Sequence, residues 1–375
     1  MGHSHSRKSS GRRAARIVAL IVLGLFCLPA ISASVDENRF EAYIERHANG
    51  WIDWQNGLIY GIGRGYLSKN RNNRPLSQGV GGVLASGNIV KLAAGLHLDD
   101  ARTLESLGDG KVTINLKAFI RDKQYQSTYV ENDGDPYYEI VKVASMKGIS
   151  GLTAKLLDHF SQDPVWQDLP VRNLEPRADL ADAGQPWLLL DARGLTDNRQ
   201  IQPALFPKIK SETGEEIYQV KGVEEAALIN RGMMSYVVTS ASAEELRNDA
   251  SLADGILARA GLLFGVGEAS ASTIERSLSQ IPTPGQAPAP PAVEETAPPL
   301  KRQKRGRYIV AEVKDVQGLA KTNLVVSSAD AMELRAEDAN SQILQKCRVV
   351  VLVSSPIGGI EGALPGGLAS LERLR

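Results

Sequence analysis

The residues from which a metal site or a nucleophilic centre would be built are present, but their spacing supports neither. His3 and His5 lie at the extreme N-terminus. His47, His97 and His159 stand far apart in sequence and form no H-x-x-x-H pair or Cys/His cluster, so no zinc site is expected. No serine occupies a G-x-S-x-G elbow. Lys321-Thr322 lacks the preceding glycine that a phosphate loop requires. Gly61, Gly63 and Gly65 suggest a dinucleotide loop, but Tyr66 stands where the last glycine of G-x-G-x-x-G belongs, and no βαβ unit with a ribose-binding acid follows. These are read as structural glycines that keep one side of a strand slim. The sequence therefore predicts no catalytic, cofactor-binding or metal-binding residue, and no cofactor. One pair remains. Asp191 and Arg193 could act as acid and electrostatic clamp, but side chains two apart on a strand share a face, so an ion pair bracketing a turn is the simpler reading.

The elements that must position that pair form the organising stretch of the chain. Trp187-Leu-Leu-Leu-Asp-Ala-Arg-Gly194 reads as a buried strand whose carboxyl end turns polar at a tight bend. Pro203-Ala-Leu-Phe-Pro207 holds an extended segment, because proline fixes φ and biases its predecessor away from the helix. Ser211-Glu-Thr-Gly214 is a turn, and Glu215-Glu-Ile-Tyr218 resumes as a strand. Asp191, Arg193, Gly194, Pro203, Pro207 and Tyr218, with Trp54 and Gly57 upstream, are the structural or interaction candidates.

At 375 residues, 43% of them hydrophobic, the chain has room for two cored domains. Its formal charge is zero but unevenly placed. Residues 1–33 hold Arg7, Lys8, Arg12, Arg13 and Arg16 and no acid, so a chain without them is acidic. No global basic field argues for nucleic acid. The basic segment precedes Ile17–Leu28, Pro29 and the small-residue run Ser32-Ala33-Ser34, which is the form of a secretory leader cut after Ala33. The alternative is an uncleaved inner-membrane anchor: Ile17–Ala33 barely spans a hydrocarbon core of ~30 Å. Membrane contact is expected through residues 17–33 alone. With the leader gone only Cys347 remains, so no intramolecular disulfide is expected.

The pattern predicts an α+β protein: a small N-terminal α+β domain over 37–162, a linker over 163–185, and a second, mixed-sheet α/β domain over 186–355. A Pro-rich insertion at 281–307 interrupts the second, and 356–375 form a flexible tail. In the first domain Asp36–Ala48 places Phe40, Tyr43 and Ile44 on one helical face. Residues 75–107 are loosely helical through Val80, Val83, Leu84, Val90, Leu92 and Leu96, although each glycine among them weakens a helix by up to ~1 kcal/mol. Lys111–Arg121 and Tyr137–Lys147 read as a hairpin, with Gln124–Val130 between them, and Gly151–Phe160 as a helix. In the second, Val223–Asn230 is a helix, Met233–Thr239 a strand, and Ser242 with Glu245 a capping box. Strands follow at Arg307–Val313 and Thr322–Ser327. Then come a Ser328-capped helix with Met332, Ala336, Ala339, Ile343 and Cys347 on one face, and the buried strand Arg348–Val353.

At these residues the chain resembles a group of bacterial envelope proteins, the LPP-type lipoprotein and FlgT-like family. Trp54-Gln-Asn-Gly57 and Gly61-x-Gly63-x-Gly65 match its N-terminal strand opening. Asp191-Ala-Arg-Gly194, Pro203-Ala-Leu-Phe-Pro207 and Gly214-Glu-Glu-Ile-Tyr218 match its second module in order, and Gly232 with Tyr236 and Thr322–Ala331 continue the pattern. A lipidated cysteine, an alanine-rich helix in place of the glycines at 79–87, and an uninterrupted second module are family features that this chain lacks. The resemblance implies an exported, periplasmic or outer-membrane-associated, non-enzymatic protein acting in assembly or interaction, related to outer-membrane or flagellar-ring structures. Its partner would be another envelope protein or a second copy. The alternatives are a periplasmic small-ligand-binding module, using the strand end at Asp191–Gly194, and an inner-membrane-anchored periplasmic protein. A concave pocket with convergent polar groups would favour ligand binding, and an exposed apolar or edge-strand patch would favour assembly.

Overall fold

Tyr43 marks the point at which the chain passes from one β-sheet into another. The computed structural model describes residues 40–107, 120–131, 134–160, 186–195, 200–259 and 308–354, all within one unit, Asn38–Arg375. β1 (Phe40–Ala42) pairs antiparallel with a strand two hundred residues away, whereas β2 (Ile44–His47) begins a five-stranded sheet. The helix expected over Asp36–Ala48 is therefore two strands, as far as the described residues reach. Strand pairing on both sides of Tyr43 satisfies the backbone, and this overrides a weak helical period.

The first sheet continues with β3 (Gly50–Asp53) and β4 (Leu58–Tyr66), then α1 (Arg74–Gly95), β5 (Asp122–Val130) and β6 (Tyr137–Ser145), closing on α2 (Leu152–Phe160). Its order is β2-β3-β4-β6-β5, antiparallel throughout. The hairpin partner of β6 is thus β5, in the segment expected to lie between two strands; the expected strand itself falls almost wholly on residues outside the described set. The Pro-rich insertion, linker, leader and tail also lie outside it.

The second sheet takes β7 (Trp187–Asp191), β8 (Ile209–Ser211) and β9 (Glu216–Tyr218), then α3 (Glu225–Arg231) and β10 (Ser235–Thr239). After α4 (Ala243–Asn248) and α5 (Ala250–Arg259) come β11 (Tyr308–Gln317), β12 (Asn323–Val326), α6 (Ser328–Ser341) and β13 (Val349–Val353). The order is β1-β10-β13-β7-β11-β12-β8-β9, with β10, β13, β7 and β11 running parallel at its centre. Every residue of β13 is buried, as a continuous apolar run requires when both faces of a strand are covered. The protein is α+β with two sheets, and β1, from the expected first domain, completes the sheet of the second.

Two helices show how local chemistry sets element ends. The Ser242 hydroxyl accepts from the Glu245 amide at 3.1 Å while the Glu245 carboxylate accepts from the Ser242 amide at 2.6 Å, the reciprocal capping box. In α6 the cap is Ser327, whose hydroxyl accepts from the Asp330 amide at 3.0 Å, one residue before the expected Ser328. The buried positions of α6 are Ala331 and Leu334, and Met332 is 69% exposed, so the expected face was displaced. Ile343 and Cys347 are buried, but they follow the helix rather than sit on it.

α1 is the helix the glycines should have weakened. Asn73 caps it, its side chain accepting from the Leu76 amide at 3.1 Å, and Pro75 falls in its first turn. On its buried face Ser77, Gly81, Ala85, Ile89 and Ala93 form a four-residue repeat of mostly small residues, beside Val90 and Ala94. These lie against Gly61, Gly63 and Gly65 of β4 so closely that helix and strand backbones touch. A Cβ on Gly63 would stand 2.0 Å from the Gly81 carbonyl oxygen, and one on Gly61 2.3 Å from that of Ala85. Ser77 and Asn88 donate to the Tyr66 and Ile62 carbonyls of β4, at 3.3 and 2.7 Å. Gly79, on the other side of α1, has nothing within 4 Å of its would-be Cβ.

The contrast yields a paired test. Gly63→Ala should destabilise the protein by about 3 kcal/mol or more, the upper range for overpacking against backbone that cannot yield. Gly79→Ala should stabilise it by up to ~1 kcal/mol through helix propensity. Denaturant unfolding of the two variants beside wild type measures both; equal effects would contradict the backbone contact.

Candidate functional site

The organising bend is built by its own side chains. Asp191 ends β7, level with Glu312 of β11 and Leu352 of β13, at the carboxyl edge of the parallel strands. Arg193 donates to it twice, Nε to Oδ1 at 2.8 Å and Nη2 to Oδ2 at 2.6 Å, and the Arg193 amide adds a third bond at 3.2 Å. Arg193 Nη1 also donates to the Ala241 carbonyl, immediately before the cap of α4. Burial works to raise the Asp191 pKa, but these bonds and the guanidinium charge hold it below the usual carboxylate range. A hollow beside this edge, lined by Tyr43, Ala192 and Leu195, measures about 20 Å³, room for roughly one water. Gly194 is exposed, and a Cβ there would meet nothing within 4 Å. The strand end thus acts as a brace joining β7 to the loop after β10.

The proline segment is a second stitch. Pro203 and Pro207 are buried, and between them Leu205 and Phe206 donate their amides to the His97 and Leu98 carbonyls at 2.9 and 2.7 Å. Tyr218 is buried, its hydroxyl donating to the Met233 carbonyl at 2.8 Å. Trp54 and Gly57 belong to the β3–β4 turn. Gly57 adopts φ +69°, where its missing side chain leaves room for the Lys147 stem. Asp53 accepts from the Asn56 amide and side chain at 2.9 and 2.7 Å. The Lys147 ammonium is turned inward, donating to the Gln55 carbonyl at 3.2 Å and approaching Ser235 Oγ of the second sheet at 3.5 Å. Burial depresses its pKa to about 8, with nearby Asp53 opposing the shift.

The structure brings Trp54 and Pro203 together with residues that the sequence did not nominate. They line a cleft of about 180 Å³ with Glu45 and His47 of β2, Lys91 and Leu92 of α1, and His97. One Glu45 oxygen accepts from Trp54 Nε1 at 2.7 Å and the other meets His47 Nε2 at 2.9 Å. Burial would raise the Glu45 pKa, but the His47 and Trp54 hydrogen bonds and the charges of His47 and His97 lower it. The histidines had been set aside for their distance in sequence; β2 and the turn after α1 bring two of them to one cleft. Among the described residues no group of three or more His, Cys, Asp or Glu is placed to hold a metal. A second surface lies on the outward side of α1, where Leu76, Val83 and Leu84 are 49%, 74% and 48% exposed.

Fold and site together define a two-sheet α+β protein whose central parallel strands are braced at their carboxyl edge and whose open surfaces gather around α1. Residues 187–254 and 295–355 match a protein family described as the second domain of Treponema pallidum Tp0624. These residues supply every strand of the eight-stranded sheet except β1, and the match breaks between 254 and 295. No curated protein matches the chain. No helix among the described residues is long and apolar enough to cross a membrane.

Two tests follow from the buried charges. Arg193→Ala and Asp191→Ala should each cost about 3 kcal/mol, because each strands a mostly buried charge, and the double variant should lose clearly less than the sum. A denaturant double-mutant cycle reads the coupling; additive losses would remove the brace. Lys147 has its folded pKa below its unfolded one, so between about pH 8 and 10.5 the unfolded chain binds more protons and this contribution rises with pH. Above pH ~9 the Cys347 thiol, pushed up to about 12 by burial, works the other way. Wild type should therefore gain about 1 kcal/mol on Lys147→Met between pH ~7.5 and ~9, read from unfolding midpoints. A constant difference would mean that the ammonium is hydrated.

Proposed function

We propose that the chain is a non-catalytic exported protein of the bacterial cell envelope, acting in assembly by docking to an envelope partner or to a second copy through the outward face of α1. The observation that carries this reading is the chemistry of that face. From Pro75 to Val90 the helix holds no charged residue, and Leu76, Val80, Val83 and Leu84 fall at the spacing of a single stripe. Scattered exposed apolar residues need no explanation, but an uncharged stripe on a helix locked to its sheet by backbone contact suits a protein interface. The leader-like N-terminus and the resemblance to LPP-type and FlgT-like proteins support a periplasmic or outer-membrane-associated setting, related to outer-membrane or flagellar-ring structures. The spent side chains of Asp191 and Arg193 favour this reading over a ligand site at that strand end.

A photo-cross-linking residue at Val83, in cells exporting the protein, should give a discrete adduct with itself or with one envelope protein. The adduct should be lost in Leu76→Glu, and it should be absent when the cross-linker stands at Leu319, which is 90% exposed elsewhere. Leu76→Glu itself should alter stability by less than about 0.5 kcal/mol, as exposed substitutions do. An adduct indifferent to Leu76→Glu, or equally strong from Leu319, would reject the α1 face.

A further inference from the structure

The cleft beside Trp54 is assembled from five separate segments, among them β3 and its turn with Ile52 and Trp54. β2 supplies Glu45 and His47, α1 supplies Lys91 and Leu92, the turn after α1 supplies His97, and the proline segment supplies Gln202 and Pro203. Its single carboxylate is already engaged on both oxygens, by Trp54 Nε1 at 2.7 Å and His47 Nε2 at 2.9 Å. Lys91 brings an ammonium that enters no ion pair among the described residues. The His97 ring lines the same space, near enough for its charge to act on Glu45. The remaining wall is apolar, with Ile52, Leu92 and Leu96.

We infer that this cleft binds a small organic monocarboxylate, its head group held by Lys91 and His97 and its apolar body laid against Ile52, Leu92 and Leu96. The dimensions suit the class: a cleft of about 180 Å³ has room for a molecule of ring size. Charge decides the head group. Lys91 favours an anion, and the fixed carboxylate of Glu45 repels a dianionic phosphate more strongly than a monocarboxylate. The roles then divide. Glu45, pinned by Trp54, orients His47, and Lys91 and His97 provide donors for a ligand. The inference is independent of the docking face, which lies on earlier turns of α1 and uses none of these residues.

Benzoate, phenyl phosphate and benzyl alcohol, three probes sharing one ring, test it on the full-length protein by calorimetry and by the Trp54 indole N–H resonance, assigned with Trp54→Phe. Benzoate should bind saturably and shift that resonance, more tightly than phenyl phosphate or benzyl alcohol. Lys91→Gln and His97→Gln should each weaken benzoate by about tenfold or more, the scale of a lost hydrogen bond to a charged group. Lys91→Arg should restore much of the loss, with folding of each variant verified by its unfolding transition. Benzyl alcohol binding as tightly as benzoate would show an apolar hollow only, and phenyl phosphate binding more tightly would refute the charge match. Benzoate failing to bind, or binding undiminished in folded Lys91→Gln and His97→Gln, would overturn the site.

Discussion

Backbone packs directly on backbone where α1 rests on β4, and much of the structure depends on it. Three glycines of the strand and Gly81 of the helix leave no room for a Cβ, so the two main chains meet without intervening side chains. Dispersion between atoms at such distances is individually weak and collectively large, and the contact tolerates no added methyl. Small residues facing inward have a consequence outward. The larger side chains, Leu76, Val83 and Leu84, occupy the solvent side, and the helix axis is fixed near enough to the sheet for Lys91 and Leu92 to wall the cleft. Both open surfaces of α1 therefore derive from the same four-residue repeat.

The joining of the two sheets is a separate problem: one continuous apolar core runs from Ile52, Ile59 and Ala144 to Leu188, Tyr236 and Val351. Tyr43, 1% exposed, sits between β1 and β2 and packs its ring 5.8 Å from that of Tyr236, which Trp54 also approaches edge-on at 6.1 Å. Aromatic pairs of this geometry contribute roughly 0.5–1.5 kcal/mol beyond the area they bury. The Leu205 and Phe206 amides bond the turn after α1, and the Gly148 amide donates to the Ile229 carbonyl at 2.7 Å. The family match covers the second sheet without β1. The edge strand is thus lent by the segment that opens the first sheet, which couples the two regions through Tyr43.

The second sheet was largely legible in the sequence because its signals are local. Four apolar residues before Asp191, the turn at Gly214, the capping box at Ser242 and the apolar run of β13 each specify structure from a few neighbouring residues. The first region was less so. β1 and β2 are strands because of partners far along the chain, and a short polar segment holds no trace of them. The inward face of α1 was hidden for a different reason: hydrophobic patterning looks for large residues toward the core, and here glycine, alanine and serine take that side. The cleft was invisible for the same cause as β1. Glu45, His47, Lys91 and His97 have no motif spacing, and only the pairing of β2 with β3 and the placement of α1 bring them together.

Open α/β sheets commonly bind ligands beyond the carboxyl ends of their parallel strands, where diverging loops leave a crevice. In this protein that edge is closed by Arg193. Its guanidinium is committed to Asp191 on one side and to the Ala241 carbonyl on the other, and the hollow beside it is water-sized. A charge so engaged is unavailable to a ligand, since recruiting it would leave Asp191 buried without its partner. Lys91 is the opposite case: a cation on the rim of a larger cleft, in no ion pair among the described residues. What distinguishes the two places is whether the charged donors are already engaged within the fold, and by that criterion the open chemistry lies at the end of α1.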